Sequence, residues 1–484
     1  MHLRIICHLI LAVVLEFSLS ACTTTKLFTP ASTGPSSQSE VSSLNRTTAV
    51  QTSYADLVDR DAPAVVTVRS ERRVRVPGQF PFMGMPFLGE VQPQPQDRIE
   101  HGLGSGVIVS ADGYILTNDH VIDGAEDIRV ELTDNRTLPA KVVGSDAPSD
   151  LAVLKIDASH LPVLPLGNSD RVRVGDVVLA IGNPLGVGQT VTMGIISAKG
   201  RQTGISDGSF EDFLQTDAPI NQGNSGGALV NTSGELIGIN SQIISPSGGN
   251  IGIGFAVPAN MAKSVMAQLT KSGTVRRGML GVTVQAVTSD LASSLGLSDV
   301  RGALVSSVQQ GGPADRAGMQ PGNVIVALNG SPVTDSNALR NQIANTEPGS
   351  EVTLTILRDK REQQIQVKLA ELPADRKIAA ADNTSNGNTG ELGISVQPLT
   401  PELASRLRLP MDAQGLVVTD VDELGAAADA GIREGDVILE ANRQPVRSVA
   451  DLQSAIQNNG SKPLLLLINR GGNTLFVTVR MRRE

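Results

Sequence analysis

Three residues in this sequence are of the types that together make a nucleophile. Ser225 sits in GNSGG, Gly223 to Gly227, within the run TDAPINQGNSGGALVN from Thr216 to Asn231. A serine hydroxyl is a poor nucleophile at neutral pH and needs a neighbouring base to take its proton. Histidine serves best, with a buried carboxylate to fix its tautomer and stabilise the imidazolium. The chain has five histidines, and His2 and His8 fall in its leading apolar segment, which leaves His101, His120 and His160. His120 stands in YILTNDHVIDGA, where a strand-like run breaks into a polar turn and a ring can face a cleft. Asp150 opens SDLAVLKI, a carboxylate leading into an apolar strand, where burial is costly unless it is paired. His120, Asp150 and Ser225 are therefore the natural set.

The pentapeptide alone does not decide the chemistry, because G-x-S-x-G is also the nucleophile elbow of α/β-hydrolases. Chain order separates the two. The elbow enzymes run Ser, acid, His, whereas no histidine follows Ser225 here. The order His, Asp, Ser is that of chymotrypsin. Other candidates read more blandly. His101, beside GLGSG, reads as a strand-opening residue, His160 in ASHLPVLP as a loop residue, and Ser105 within GLGSG as flexible turn chemistry. GLGSG lacks the βαβ context of a dinucleotide fingerprint. No GxxxxGK[ST] is present, and three histidines without thiols make a poor zinc site, so no cofactor or metal is implied.

These residues need a scaffold, and the pattern around them is β-rich. The 484 residues suffice for about three domains. At 40% hydrophobic and 18% charged, the chain can fill packed cores. The net charge of −9 argues against a phosphate-binding surface, so no nucleic-acid partner is expected. From Ala62 onward, AVVTV, GVIVS, GYILTN, DIRVEL, AVLKI, DVVLAIG, ELIGIN and GIGFAV read as short strands broken by turn residues. That spacing fits barrels or a sandwich, not a parallel α/β sheet. VPANMAKSVMAQLTKSG, Val257 to Gly273, reads as one amphipathic helix with Gly273 as its stop. A long insertion after Arg75, VPGQFPFMGMPFLGEVQPQPQ, carries five prolines and reads as a functional loop.

The remainder repeats itself. GALVSSV at Gly302 matches GLVVTDV at Gly415, and AGMQPGNVIVALNG at Ala317 matches AGIREGDVILEANR at Ala430. Gly302, Gly318 and Gly322 map onto Gly415, Gly431 and Gly435 at a constant offset of 113, and Leu280 onto Leu392 at 112. Two copies of one small module are present.

The N-terminus reads as an address. Arg4 precedes an apolar run from Ile5 to Leu15, too short to span a bilayer comfortably, followed by LSAC at Leu19 to Cys22. Small residues before a cysteine resemble a bacterial lipobox, which makes Cys22 the expected lipidation site. Cys7 and Cys22 are the only cysteines, so no internal disulfide is expected in the mature chain. A Ser/Thr-rich stretch then reads as a tether reaching about 30 Å.

TNDHVID, SDLAVLKI and TDAPINQGNSGGAL, followed by two modules with G-x-x-x-G-D-V-I elements, resemble the HtrA (Do/DegP-like) family of envelope serine proteases with two PDZ domains. The resemblance runs from about Tyr54 to the C-terminus. It implies a mainly β architecture, a chymotrypsin-like double β-barrel followed by two PDZ domains. The expected divisions are a signal at 1–22, a tether at 23–53, the protease at 54–275, PDZ domains at 276–372 and 391–484, and a linker at 373–390. It implies a triad of His120, Asp150 and Ser225, and an oxyanion hole of the Gly223 and Ser225 backbone amides. Only glycines let the chain turn those amides toward a developing oxyanion.

The position six residues before the nucleophile, an aspartate in trypsin-like enzymes, is Pro219 here. With Ile220 beside it, and Ile244 by resemblance, the pocket is expected to be apolar and suited to Val, Ile, Ala or Leu. Pro219 and Gln222 stand where the family often has Ala and Arg or Pro. Arg201, opening RQTGISDGSFED, resembles the family's regulatory sensor of PDZ occupancy, and the Phe-rich insertion its regulatory loop. RGMLGV places the first PDZ carboxylate loop at Gly278, Met279, Leu280 and Gly281, and ELGI the second at Glu391–Ile394. The expected activity is an exported, ATP-independent serine endopeptidase. It acts on unfolded envelope proteins, binds C-terminal peptides, assembles as a homotrimer or larger, and meets the membrane only through its lipid. The alternatives are a chaperone or scaffold with an idle protease domain, and a pure peptide-binding adaptor.

Overall fold

The computed structural model describes residues 53–76, 96–183, 188–203, 209–245, 249–297, 299–373, 392–407, 409–410, 413–459 and 462–481. The expected signal, Cys22, nearly all of the tether, Glu391, most of the Phe-rich insertion and most of the linker fall outside these residues. Among the described residues no helix is long and apolar enough to cross a membrane.

Two closed six-stranded barrels come first. Strands β1 (Val65–Val76), β2 (Gln96–Ile108), β3 (Tyr114–Thr117), β4 (Asp127–Glu131), β5 (Thr137–Asp146) and β6 (Leu151–Ile156) close in the order β1-β2-β3-β6-β5-β4. Strands β7 (Val177–Gly182), β8 (Thr190–Arg201), β9 (Phe213–Thr216), β10 (Ala228–Asn231), β11 (Leu236–Ile243) and β12 (Gly254–Pro258) close in the order β10-β11-β12-β9-β8-β7. The fold is the chymotrypsin-like one expected.

Alternation explains the continuous apolar runs. In β6, Ala152, Leu154 and Ile156 fill the first barrel, whereas Leu151 and Val153 join a core shared with the second. In β7, Val178 and Ala180 fill the second barrel, whereas Leu179 and Ile181 meet the first. Successive side chains leave a strand on opposite faces, so a strand buried on both faces reads apolar throughout. Ala259–Ser272 forms the expected closing helix and ends at Gly273, whose φ of 73° suits glycine. Its buried Met261, Ala262, Val265 and Leu269 recur at helical spacing and pack into the shared core.

The two repeat modules have one topology. The first sheet runs Val282–Ala286, Ala303–Val308, Val324–Leu328, Glu351–Arg358, Arg361–Lys368, and carries the helix Ser336–Ala344. The second runs Ile394–Pro398, Leu416–Val421, Val437–Ala441, Leu464–Arg470, Asn473–Val479, and carries the helix Val449–Gln457. In each, the first strand lies at the sheet's edge. The last hairpin of the second module packs Leu465, Leu467 and Phe476 onto Leu291, Leu295 and Leu304 of the first.

Candidate active site

The barrels meet at one cleft, and each supplies half of its polar groups. Asn118 leads β3 into the short helix Asp119–Ile122, which Val121 and Ile122 anchor in the first barrel. Asp150 follows the 3-10 turn Ala147–Ser149 in the left-handed region, with φ 54° and ψ 43°. The Asn118 side-chain amide donates to the Asp150 carbonyl at 2.8 Å, which ties the two segments together.

His120 Nδ1 and Asp150 Oδ1 are 2.8 Å apart. The His120 backbone N–H donates to the same oxygen at 3.2 Å, and the Ser241 hydroxyl donates to Asp150 Oδ2 at 2.6 Å. The carboxylate is thus held at both oxygens. The Ser225 hydroxyl donates to the Ser241 carbonyl at 2.8 Å, so in this state it is turned to β11. All four residues line one cavity of about 460 Å³. Catalytic hydrogen bonds are often loose in a ligand-free site and tighten with substrate.

Electrostatics favour protonated imidazole more than usual. Burial acts to lower the His120 pKa, but the hydrogen bond and charge of Asp150, helped by Asp119, outweigh it and leave it above the ordinary value. Asp119 is itself pushed up, chiefly by burial, with its Ser145 hydrogen bond opposing and Asp123, Asp150 and Asp146 adding.

The loop carrying Ser225 is tightly seated. Gly223 has φ 98° and Gly226 φ 82°, both in glycine's region. A Cβ on Gly226 would lie 2.1 Å from the Ser105 carbonyl oxygen. Among the described residues the Gly223 and Ser225 amides donate no hydrogen bond, whereas Asn224 N–H donates to Asn221 O. Of the expected pocket residues, Ile220 lines the cavity but Ile244 does not. Ile244 is 39% exposed, and Ile243 takes its place. Ser241, Gln242 and Ile243 all line the cavity, where an irregularity in the pairing of β11 between Asn240 and Gln242 interrupts simple alternation. Ser105 also departs from expectation. It is no turn residue but lies fully buried within β2.

The first repeat module touches the cleft's rear. Gly278–Met279 pairs with Ala370–Glu371, and Leu280 and Gly281 turn toward the edge strand, with Gly281 at φ 74°. Immediately before them, Arg277 is buried against Asp146 with contacts of 2.8 and 2.5 Å. Asp146 also caps the turn that leads to Asp150. The guanidinium carbons of Arg277 and Arg340 lie over the Phe210 ring, 4.5 and 4.9 Å from its centroid, and the Phe210 N–H donates to Pro148 O. Asn337 and Asn341 donate to the Glu211 carbonyl. Arg201 is exposed and bonds Gln215 at 3.1 Å; its neighbour Gln202 reaches the module, at Asn337. Sequence reading missed Arg277, Asp146, Phe210 and Ser241, since ion pairs and stacks between distant segments leave no local spacing signal.

Comparison with known proteins agrees with this architecture. Residues 104–239 match the trypsin-like peptidase domain, and residues 278–369 and 417–470 each match a PDZ domain. A probable periplasmic serine endoprotease, DegP-like, of Chlamydia trachomatis is 45% identical over 401 residues, covering 82% of this chain and 78% of the relative. Its namesake in Brucella suis is 40% identical over 477 residues, covering 90% of each. Among solved structures, the HtrA-type protease AlgW with a decapeptide is 47% identical at a TM-score of 0.54, covering 67% of this chain and 100% of that one. The chain is a serine endopeptidase with PDZ domains, and it belongs to the HtrA family of DegP-like periplasmic serine endoproteases.

Proposed function

We propose that the chain cleaves unfolded cell-envelope proteins through His120, Asp150 and Ser225, without ATP. The observation that supports this reading most is the 2.8 Å contact of His120 Nδ1 with a carboxylate held at both oxygens, in the same cavity as Ser225. Substrate binding turns the Ser225 hydroxyl from Ser241 O to His120 Nε2. Ser225 Oγ then bonds to the scissile carbonyl carbon while its proton passes to Nε2. The carbonyl's π pair moves onto oxygen, where the Gly223 and Ser225 amides receive it. Collapse expels the amine, which takes the proton from His120 and leaves an acyl ester. Water repeats the sequence to free the acid. Asp150 keeps Nδ1 protonated and stabilises the imidazolium.

Ile220 and Ile243 favour aliphatic side chains in the pocket. The open edge at Val282–Ala286, with the loop Gly278–Gly281, suits an extended C-terminal tail whose carboxylate meets backbone amides. Arg201 and the adjoining Gln202–Asp212 segment would report that occupancy to the cleft. The proposal includes a homotrimer or larger assembly and lipidation at Cys22. The relatives give no support to the chaperone alternative. The test is degradation of reduced casein without ATP, with fluorophosphonate labelling. Ser225→Ala should lose labelling and about 10⁶ in kcat, and Asp150→Ala about 10⁴. Near-full activity in Asp150→Ala would overturn the triad.

A further inference from the structure

Ser105 is fully buried, and its three polar groups make four hydrogen bonds at the junction of the barrels. Its hydroxyl donates to the Gly223 carbonyl at 2.7 Å and accepts the Asn183 N–H at 3.0 Å. Its own N–H donates to the Ser225 carbonyl at 2.8 Å, and its carbonyl accepts the buried Thr117 hydroxyl at 2.7 Å. Gly223 and Ser225 are the residues whose amides are proposed to bind the oxyanion. The Gly223–Asn224 peptide plane lies between those amides. It is held at its C=O end by Ser105 and at its N–H end by Asn221 O, 2.9 Å away. This plane links the two amides, and glycine at Gly223 offers little torsional resistance of its own, so a turn of the plane changes the aim of one amide relative to the other.

We infer that Ser105 is a positioning residue, whose buried hydroxyl locks the Gly223–Asn224 peptide so that both amides stay aimed at one oxyanion. This rests on the proposed triad and oxyanion hole. Only a group that donates and accepts at once can serve both neighbours, and a hydroxyl does so. Alanine leaves the buried Gly223 carbonyl and the half-buried Asn183 N–H without the hydroxyl that serves both. The Gly223–Asn224 plane is then held at its Asn224 N–H end alone and is free to turn when no substrate is bound, so the Gly223 and Ser225 amides on either side of it lose their common aim.

The test compares wild type, Ser105→Ala, Ser105→Cys and Ser225→Ala on a short aliphatic peptide substrate. Active sites are titrated with a fluorophosphonate, and a peptide boronate measures affinity for a tetrahedral adduct. Ser105→Ala should lower kcat per titrated site by about 10- to 100-fold, less than the ~10²–10³ lost with an oxyanion donor itself. KM should stay within about twofold, and boronate affinity should fall in parallel with kcat/KM. Ser105→Cys, a weak donor of similar shape, should lie between. A merely structural role would reduce the number of titrated sites and leave kcat per site unchanged. A kcat per site within about twofold of wild type overturns the inference, read from Ser105→Cys should the alanine variant not fold. Activity retained by Ser225→Ala would instead overturn the triad on which it stands.

Discussion

The two PDZ domains share a topology and a core pattern yet differ in what their groove helices face. Leu339 and Ile343 of the first helix correspond, at the repeat offset, to Leu452 and Ile456 of the second, and both leucines are buried. The polar positions diverge. Asn337, Arg340 and Asn341, which meet Glu211 and Phe210 of the protease, correspond to Ala450, Gln453 and Ser454. The second domain instead rests on the first through Leu465, Leu467 and Phe476, with Gln285 bonded to both backbone polar groups of Phe476. One module is wired to the cleft, and its copy is wired to the module. The core therefore fixes what each domain is, and a few surface side chains fix what it speaks to.

The largest effect should come from cutting that wiring. Arg277→Ala strands Asp146, which is only 6% exposed in its side chain, and removes a face of the Phe210 stack. Breaking a buried pair from one side costs about 3–5 kcal/mol. Chemical denaturation should show this loss, and peptide hydrolysis should fall too, since Asp146 caps the turn ending at Asp150. The second domain offers the control. Arg470 pairs with the buried Asp436, its side-chain hydrogen bonds among the described residues go to Asp436 and Gly431 of its own domain, and its side chain is 32% exposed. Arg470→Ala should cost about 1–3 kcal/mol and leave hydrolysis unchanged. Equal losses of activity in both variants would erase the contrast.

Acid should separate the same two regions. With His120 as the proposed base, activity needs its neutral imidazole, so kcat/KM should fall as pH drops through a midpoint above the ordinary histidine value of 6.5. Asp212 carries a different pH dependence. It is pushed up to about 6, mainly by burial, with Asp170 and Asp335 adding and Lys199 opposing. Asp335 caps the first groove helix, where the second has the neutral Ser448. A carboxyl whose folded pKa is raised binds protons more tightly folded than unfolded. Stability is therefore lost as pH rises from about 4 to about 6. Asp212→Asn should raise Tm at pH near 7.5, and the difference should close near pH 4. A difference independent of pH would assign the effect to packing.

Much of this was legible before any coordinates. The proposed triad is legible because His120, Asp150 and Ser225 each sit at a break between an apolar strand and a polar turn, and chain order argues against the elbow alternative. Strands such as LAVLKI and DVVLAIG were readable because both faces are buried. β5 was not, since Lys141 and Val142 face solvent. Resemblance points to Ile244 for the pocket, whereas Ile243 lines the cavity and Ile244 is exposed, because resemblance cannot supply register. Ser105 was misread because a glycine-flanked serine has the same composition in a turn as in a strand whose neighbours press on its backbone. Composition records propensity, and tertiary contact overrode it.

The smallest expected effect lies at the junction of the PDZ domains themselves. Arg480 and Asp290 bridge them, but the arginine side chain is 72% exposed, so water and salt compete for the pair. Such surface bridges contribute about 0–1 kcal/mol. The apolar contact of Leu465, Leu467 and Phe476 with Leu291, Leu295 and Leu304 excludes water and does not depend on that charge. Arg480→Ala should therefore shift the unfolding midpoint of the tandem by under a degree or two, and by less in 0.5 M salt. A double-mutant cycle with Asp290→Ala gives the coupling directly. Should that coupling exceed the loss on Arg470→Ala, charge and not apolar burial would be what joins the second domain to the first, and the contrast between a wired module and a leaning one would have to be redrawn.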